Sequence, residues 1–206
     1  MLKKIAVFAS GGGTDFQSVI DANAKEKFCE IAYLVASKPN IGAIERAKKA
    51  GIQTVVYDKT AQPDKAAFYR DLTKLFNEHG VDYIVLAGWL LIIPEEFIQS
   101  FEDRIVNIHP ALLPSFGGKG FYGLNVHKAA IEHGVKVSGA TVHFVSAEVD
   151  GGAIIAQVAV PVLDDDTPES LQTRILKEEH VLLPDCVKKL CEGKVRKTGR
   201  KVCITE

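Results

Sequence analysis

The chain has 206 residues, of which 47% are hydrophobic and 25% are charged, and its formal net charge is −1. This length and balance are typical of one globular domain with an ordinary core. The mixed charges of the tail over 188–201 argue against a nucleic-acid-binding arm, and no apolar run reaches the roughly 18 residues of a membrane span.

Short runs rich in valine and isoleucine predict the strands of the first half of the chain. They cover 5–9, 31–36, 54–57, 83–87 and 105–108. The runs lack strict polar alternation, as expected of strands that are covered on both faces. The amphipathic segments between them predict helices over 15–25, 41–50, 64–79 and 94–101. Strands that alternate with helices in this way predict a parallel sheet with right-handed crossovers.

The pattern changes after residue 110. A loop over 114–123 precedes a helix predicted over 125–132, and two longer strands follow over 138–145 and 154–160. Thr167 and Pro168 are suited to the start of a long helix that reaches about Lys189.

These elements predict an α/β fold, a single-domain Rossmann-like open twisted sheet with helices on both faces. The sheet is expected to be mostly parallel, with an antiparallel C-terminal part. The expected domain covers 1–206, in two halves over about 1–100 and about 101–206.

The four cysteines show no spacing that is typical of a metal site. They are Cys29, Cys186, Cys191 and Cys203. Free thiols in a cytoplasmic protein are the expected state, and a disulfide is the lesser alternative.

A glycine-rich turn follows the first predicted strand and precedes the first predicted helix. Its residues are Gly11, Gly12, Gly13, Thr14 and Asp15. Glycines allow backbone N–H groups to approach an anion closely, and a helix N-terminus adds partial positive charge. The turn therefore predicts a phosphate site. The alternative is a tight turn capped by Thr14.

The same turn disfavours two common phosphate ligands. Phe16 stands where the dinucleotide-binding pattern requires a third glycine, and no Gly-Lys-Ser/Thr sequence is present for a nucleoside triphosphate. A small sugar monophosphate fits better than NAD or ATP.

Asn107 and His109 end the strand predicted over 105–108, just before Pro110. Residues two apart on a strand point to the same side, and an amide with an imidazole can stabilise an oxyanion and move a proton. The alternative is a polar strand end that hydrogen-bonds its own loop. Asp150, in an Asp-Gly-Gly turn, is a candidate carboxylate partner for the imidazole.

Six segments of the chain resemble the phosphoribosylglycinamide formyltransferase family of the folate-dependent formyltransferase superfamily. They occur in the family's order and extend over nearly the whole chain: 10–14, 86–88, 107–115, 139–144, 150–152 and 179–180. The Asn-Ile-His-Pro sequence with a downstream Asp-Gly-Gly carries the superfamily resemblance. The glycine turn and the chain length select the family.

The resemblance implies a formyl transfer from 10-formyltetrahydrofolate to the amine of glycinamide ribonucleotide in purine biosynthesis. It implies that Asn107, His109 and Asp150 are catalytic, that Gly11 to Asp15 hold the substrate phosphate, and that Glu179 contacts the substrate. The implied folate-binding residues are Lys65, Leu90, Leu91, Ile92, Ile93, Asn107 and Val145. The resemblance thus implies a phosphate-binding half over about 1–100 and a catalytic and folate-binding half over about 101–206. No metal, nucleic acid or membrane partner is implied, and the chain is expected to be a monomer or homodimer.

The chain departs from the family pattern at two positions. Asp15 stands where the family often has Asn, and a carboxylate repels a phosphate unless it turns away or caps the helix instead. Leu91 stands where some members have Arg, so one folate contact is expected to be either missing or purely apolar.

Three alternative functions share parts of this sequence pattern. A formyl-folate hydrolase usually carries a further N-terminal domain, and a formyltransferase acting on methionyl-tRNA needs a basic C-terminal domain. A non-catalytic phosphosugar-binding module would need the glycine turn alone.

Two further histidines are not assigned by the resemblance. For His143, a structural role and a functional role are equally expected, whereas His127 is expected at the surface.

Overall fold

The computed structural model describes residues 1–60 and 62–205. They form an α/β fold whose larger sheet has seven strands in the order β3-β2-β1-β4-β5-β6-β7. The predicted fold class is confirmed, including the mostly parallel sheet with an antiparallel C-terminal part. By internal contacts the chain divides into two compact units, Met1–Val106 and Asn107–Glu206.

The first unit alternates strands with helices. Its elements are β1 (Lys3–Ala9), α1 (Thr14–Lys25), β2 (Cys29–Ala36), α2 (Gly42–Lys49), β3 (Gln53–Val56), α3 (Lys65–His79), β4 (Tyr83–Leu86), α4 (Glu95–Ser100) and the start of β5 (Ile105–His109). Strand β1 is paired in parallel with both β2 and β4. The strands are those predicted, with ends shifted by one or two residues because hydrophobicity does not mark where pairing stops.

The core of the first unit is aromatic. Phe8, near the end of β1, has its ring centroid 5.0 Å from that of Trp89 and 6.1 Å from that of Phe97. Asp64 caps α3 by accepting a hydrogen bond from the Ala67 N–H at 3.0 Å, and Gly80 ends that helix with φ 67°. Helix α3 therefore covers the predicted range 64–79 except for Asp64, which is its cap.

The second unit is built on an antiparallel strand pair. Its elements are the end of β5, α5 (Leu124–Glu132), β6 (Val137–Phe144), β7 (Ile154–Pro161), α6 (Pro168–Cys191), β8 (Val195–Thr198) and β9 (Lys201–Ile204). Thr167 caps α6 by accepting from the Ser170 N–H, and the Ser170 hydroxyl accepts from the Thr167 N–H in return. Strand β6 is buried from Ser138 to Phe144, so it is covered on both faces.

The hairpin of β8 and β9 was not predicted. The sequence favours a solvated tail over this basic segment. Its two short strands instead pair in antiparallel register from Val195↔Ile204 to Thr198↔Lys201. All four cysteines are free, as expected, with Cys29 and Cys186 buried.

Candidate active site

The end of β5 presents the two polar side chains that the sequence singled out. His109 is 4% exposed and Asn107 is half-buried, while Val106 and Ile108 alternate with them and are buried. Strand geometry therefore places the amide and the imidazole on the same side of β5. His109 is enclosed by protein rather than exposed to solvent.

The orientation of the His109 ring follows from its hydrogen bond to a loop. Its Nε2 lies 2.8 Å from the backbone carbonyl oxygen of Phe116. A carbonyl oxygen only accepts, so Nε2 carries the proton and donates it. The other nitrogen, Nδ1, lies 3.7 Å from Oδ2 of Asp150. Nδ1 is therefore the ring atom that faces a carboxylate.

Asp150 lies in the connection between β6 and β7, with a left-handed backbone at φ 56°. Its Oδ2 accepts a hydrogen bond from the Gly118 N–H at 2.9 Å, and its side chain is 13% exposed. Gly117 passes so close that a Cβ built on it would lie 3.3 Å from the Asp150 Cβ. The segment 116–118 thus contacts both His109 and Asp150 through backbone atoms.

His143, on β6, links Asn107 to the same group of side chains. Its Nδ1 lies 2.9 Å from the carbonyl oxygen of Phe144 and therefore donates to it. Its Nε2 lies 3.0 Å from Nδ2 of Asn107 and 3.6 Å from Oδ1 of Asp150. Burial lowers the pKa of His143, although the Phe144 carbonyl and the Asp150 carboxylate oppose this effect. The neutral ring then accepts from the Asn107 amide and fixes its orientation.

A buried hydrogen-bond network supports the segment that follows His109. The Thr141 hydroxyl donates to the Ala111 carbonyl at 2.6 Å and accepts from the Leu113 N–H at 3.1 Å. Gln157, opposite Thr141 in the β6–β7 register, donates to the Leu113 carbonyl and to the Thr141 hydroxyl, both at 2.9 Å. Thr141 makes its full set of one donated and two accepted bonds. Residues 111–113 are thereby held against the strand pair.

The expectation that His127 lies at the surface is wrong. The residue is 1% exposed, and in the described part of the chain its Nδ1 has no hydrogen-bond partner. Burial, with a smaller contribution from the charge of His109, lowers its pKa to about 4. Val126 and Ala130 are also buried on α5. The 127–130 spacing on one helix face was the sequence signal that could have predicted this burial.

In the first unit, the glycine turn has the open geometry expected of a phosphate site. Gly13 precedes α1 with φ 70°, and no side chain caps the helix, so the alternative of a Thr14 cap is wrong. Gly11 and Gly12 are exposed, and nothing lies within 4 Å of a Cβ built on either. Asp15 lies in the first helical turn and is half-buried.

The predicted folate-binding residues of the first unit lie together. Leu90 and Ile92 are 59% and 63% exposed, whereas Ile93 is buried, and Leu91 is half-buried. The Lys65 ammonium group donates to the Ile92 carbonyl at 3.0 Å. The structure therefore brings Lys65 to an exposed apolar segment.

In the second unit, Val145 is half-buried directly after β6, and Glu179 is 6% exposed on α6. Across residues 1–60 and 62–205, no group of three or more His, Cys, Asp or Glu is arranged to hold a metal ion. The helices of the same residues include none with the length and apolarity needed to cross a membrane.

Comparison with known proteins identifies the relatives of this architecture. Residues 3–187 match the model of the formyl transferase family. The chain is 44% identical over 196 residues to a chloroplastic phosphoribosylglycinamide formyltransferase of Arabidopsis thaliana, covering 94% of this chain and 67% of that protein. It is 38% identical over 190 residues to the phosphoribosylglycinamide formyltransferase of Bacillus subtilis (strain 168), covering 92% and 95%.

A solved structure is similar over the whole chain. The glycinamide ribonucleotide transformylase 1 of Symbiobacterium toebii superimposes with a TM-score of 0.92 at 39% identity, covering 100% of this chain and 95% of that one. The chain thus spans about two thirds of the plant relative and nearly all of the bacterial ones.

Proposed function

The chain belongs to the formyl transferase family, among the phosphoribosylglycinamide formyltransferases, and we propose that it transfers a formyl group from 10-formyltetrahydrofolate to the amine of N1-(5-phospho-D-ribosyl)glycinamide. The products are the N-formyl compound and tetrahydrofolate, and the reaction belongs to purine biosynthesis. The observation that carries the proposal is the buried group formed by Asn107, His109, His143 and Asp150 in a member of this family.

In the reaction, the substrate amine attacks the formyl carbon and negative charge develops on the formyl oxygen. We assign stabilisation of that charge to the second N–H of the Asn107 amide and to Nδ1–H of a protonated His109. The Asn107 orientation is suitable because His143 accepts its first N–H. Each donor of this kind is typically worth about 3 kcal/mol of barrier.

Collapse of the tetrahedral intermediate breaks the bond to N10 of the folate. The attacking amine loses one proton and N10 gains one. Asp150 stabilises the charged form of His109 through the 3.7 Å contact at Nδ1 and assists this transfer by way of water. These residues thus orient the formyl group, stabilise the developing charge and move a proton.

The remaining residues are assigned to binding. Gly11, Gly12, Gly13, Thr14 and Asp15 hold the substrate phosphate, and Glu179 contacts the substrate. The open backbone of the glycine turn supports the first assignment. Lys65, Val145 and the segment 90–93 are assigned to the folate, which the exposure of Leu90 and Ile92 supports. A cytoplasmic location and a monomeric or homodimeric state stay predictions.

A formyl-transfer assay tests the proposal. Purified protein is mixed with 10-formyltetrahydrofolate and glycinamide ribonucleotide, and loss of the formyl folate is followed with and without the amine. We expect consumption that requires the amine and yields one N-formyl product per folate. Formate release without the amine would indicate a hydrolase, and no consumption under either condition would contradict the assignment.

A further inference from the structure

Arg46 contacts the glycine turn although no sequence motif draws attention to it. This residue of α2 is half-buried, and its Nε donates to the carbonyl oxygen of Gly12 at 2.7 Å. Its Nη1 donates to Oε1 of Gln17, on α1, at 3.0 Å. One guanidinium therefore connects α2 both to the turn and to the helix that follows it.

A second bond holds the preceding peptide in the same way. The carbonyl oxygen of Gly11 accepts from the Ala43 N–H, near the start of α2, at 3.2 Å. Two successive carbonyl groups of the turn thus point at α2. In a trans peptide the C=O of one residue and the N–H of the next point in opposite directions. The N–H groups of Gly12 and Gly13 consequently both point away from α2.

Successive N–H groups that point to one side form a concavity that binds anions. The turn lies tightly on α2, because a Cβ built on Gly13 would be 2.7 Å from the Ala43 Cβ, and one on Gly42 would be 3.1 Å from the Gly12 carbonyl. Glycine peptides rotate more easily than others. The orientation of the Gly12–Gly13 peptide therefore depends on the groups that bind its carbonyl oxygen.

We propose that Arg46 is a positioning residue for the substrate phosphate, acting through the Gly12 carbonyl to aim the Gly13 N–H at the anion. This inference rests on the proposed function, because it concerns the phosphate-binding turn of that substrate. Arg46 contributes to phosphate binding mainly through its directional hydrogen bond to the Gly12 carbonyl, and not through its positive charge alone.

The test compares Arg46→Met with Lys49→Met. Lys49 is an exposed cation on the same helix, so both variants remove one positive charge and only the first removes the bond to the turn. We expect Arg46→Met to raise KM for glycinamide ribonucleotide by about tenfold or more, the usual range for a lost charge-assisted hydrogen bond. Its kcat and its KM for the folate should stay within about twofold, and Lys49→Met should resemble the wild type.

A substrate without its phosphate makes the test specific. With the glycinamide riboside, the ratio of kcat/KM between wild type and Arg46→Met should fall close to one. An unchanged KM in Arg46→Met, equal effects of the two variants, or the same penalty with the riboside would each overturn the inference.

A binding measurement separates this inference from the proposed function. Inorganic phosphate is titrated into ¹⁵N-labelled protein, and the amide signals of Gly12 and Gly13 are followed by NMR. Both signals should move in the wild type and in Lys49→Met, and at least tenfold more phosphate should be needed in Arg46→Met. This result is independent of formyl transfer, so a wild type that fails to convert the substrate would contradict the proposed function alone. Equal phosphate responses in all three proteins would overturn the role of Arg46.

Discussion

The candidate sites of the two compact units use different parts of the polypeptide. In Met1–Val106 the glycine turn offers backbone N–H groups, because its three successive glycines have no side-chain functional groups. In Asn107–Glu206 the candidate groups are an amide, two imidazoles and a carboxylate, all held by hydrogen bonds to backbone or to each other. The first arrangement depends on backbone conformation, and the second depends on side-chain identity and protonation. Substitutions in the glycine turn should therefore affect binding, whereas substitutions of these four side chains should affect turnover.

The largest effect is expected from His109→Ala. Removing a donor to the developing oxyanion should lower kcat by about 10²- to 10³-fold, while KM for glycinamide ribonucleotide changes little. Steady-state kinetics with both substrates measures this. His79→Ala is the control, since His79 is an exposed histidine outside this group of side chains, and it should keep normal turnover. A kcat for His109→Ala within tenfold of the wild type would remove His109 from the mechanism.

Gly13→Ala should show the opposite kinetic pattern. The residue has φ 70°, and its new Cβ would press on Ala43, so strain of about 1–3 kcal/mol is expected at the turn. KM for glycinamide ribonucleotide should rise by about tenfold or more, with kcat nearly unchanged. Gly51→Ala is the control, because Gly51 has the same left-handed backbone at φ 68° but lies outside the turn, and it should keep a KM close to the wild type. Equal behaviour of the two variants would show that backbone conformation does not govern this site.

Thr141→Val should lower the stability of the second unit, because Thr141 hydrogen-bonds the backbone of the segment that follows His109. The substitution keeps the shape of the side chain but removes the partner of the Ala111 carbonyl and the Leu113 N–H, and a buried unpaired group costs about 1–3 kcal/mol. We expect a lower free energy of unfolding in urea and a several-fold loss of kcat. Thr141→Ser retains the hydroxyl and should recover most of both. If Thr141→Val lost stability but kept a normal kcat, the hydrogen-bond network around Thr141 would serve folding and not turnover.

The smallest effect concerns pH. The pKa of His127 is about 4 in the folded chain, below its ordinary value of 6.5, so between these two values the unfolded chain binds more protons. Its contribution to stability is therefore complete above pH 6.5 and decreases as pH falls towards 4. Between pH 7 and pH 5 we expect a loss of about 1–2 kcal/mol.

Urea denaturation of the wild type and of His127→Gln at the two pH values checks this. The variant should lose less stability between them than the wild type, whereas His133→Gln should keep the wild-type difference. Identical pH dependence in His127→Gln would contradict the lowered pKa.

The sequence predicted the sheet well because hydrophobic runs are local signals. It also predicted that Asn107 and His109 share one side of β5, since side-chain alternation follows from strand geometry alone. It missed the β8–β9 hairpin because short strands rich in cations, such as Val195–Thr198, are stabilised by pairing rather than by their own composition.

The contacts of the site were less accessible to sequence reasoning. His143 orients Asn107 from a position 36 residues away along the chain, and Arg46 meets Gly12 across 34. Neither partner can be inferred from spacing, because these contacts depend on strand register and on how helices pack. The burial of His127 differs from these contacts, because the three-residue spacing of His127 and Ala130 on one helix face could have predicted it.

The attachment of the glycine turn to α2 has a thermodynamic consequence. Peptides whose carbonyl oxygens already have partners in Ala43 and Arg46 lose little conformational entropy when an anion binds. More of the energy of each new N–H contact then appears as affinity. A loop of three glycines, the most mobile residues a chain can use, is thereby preorganised for the anion that we propose it binds, and the neighbouring helix makes it rigid.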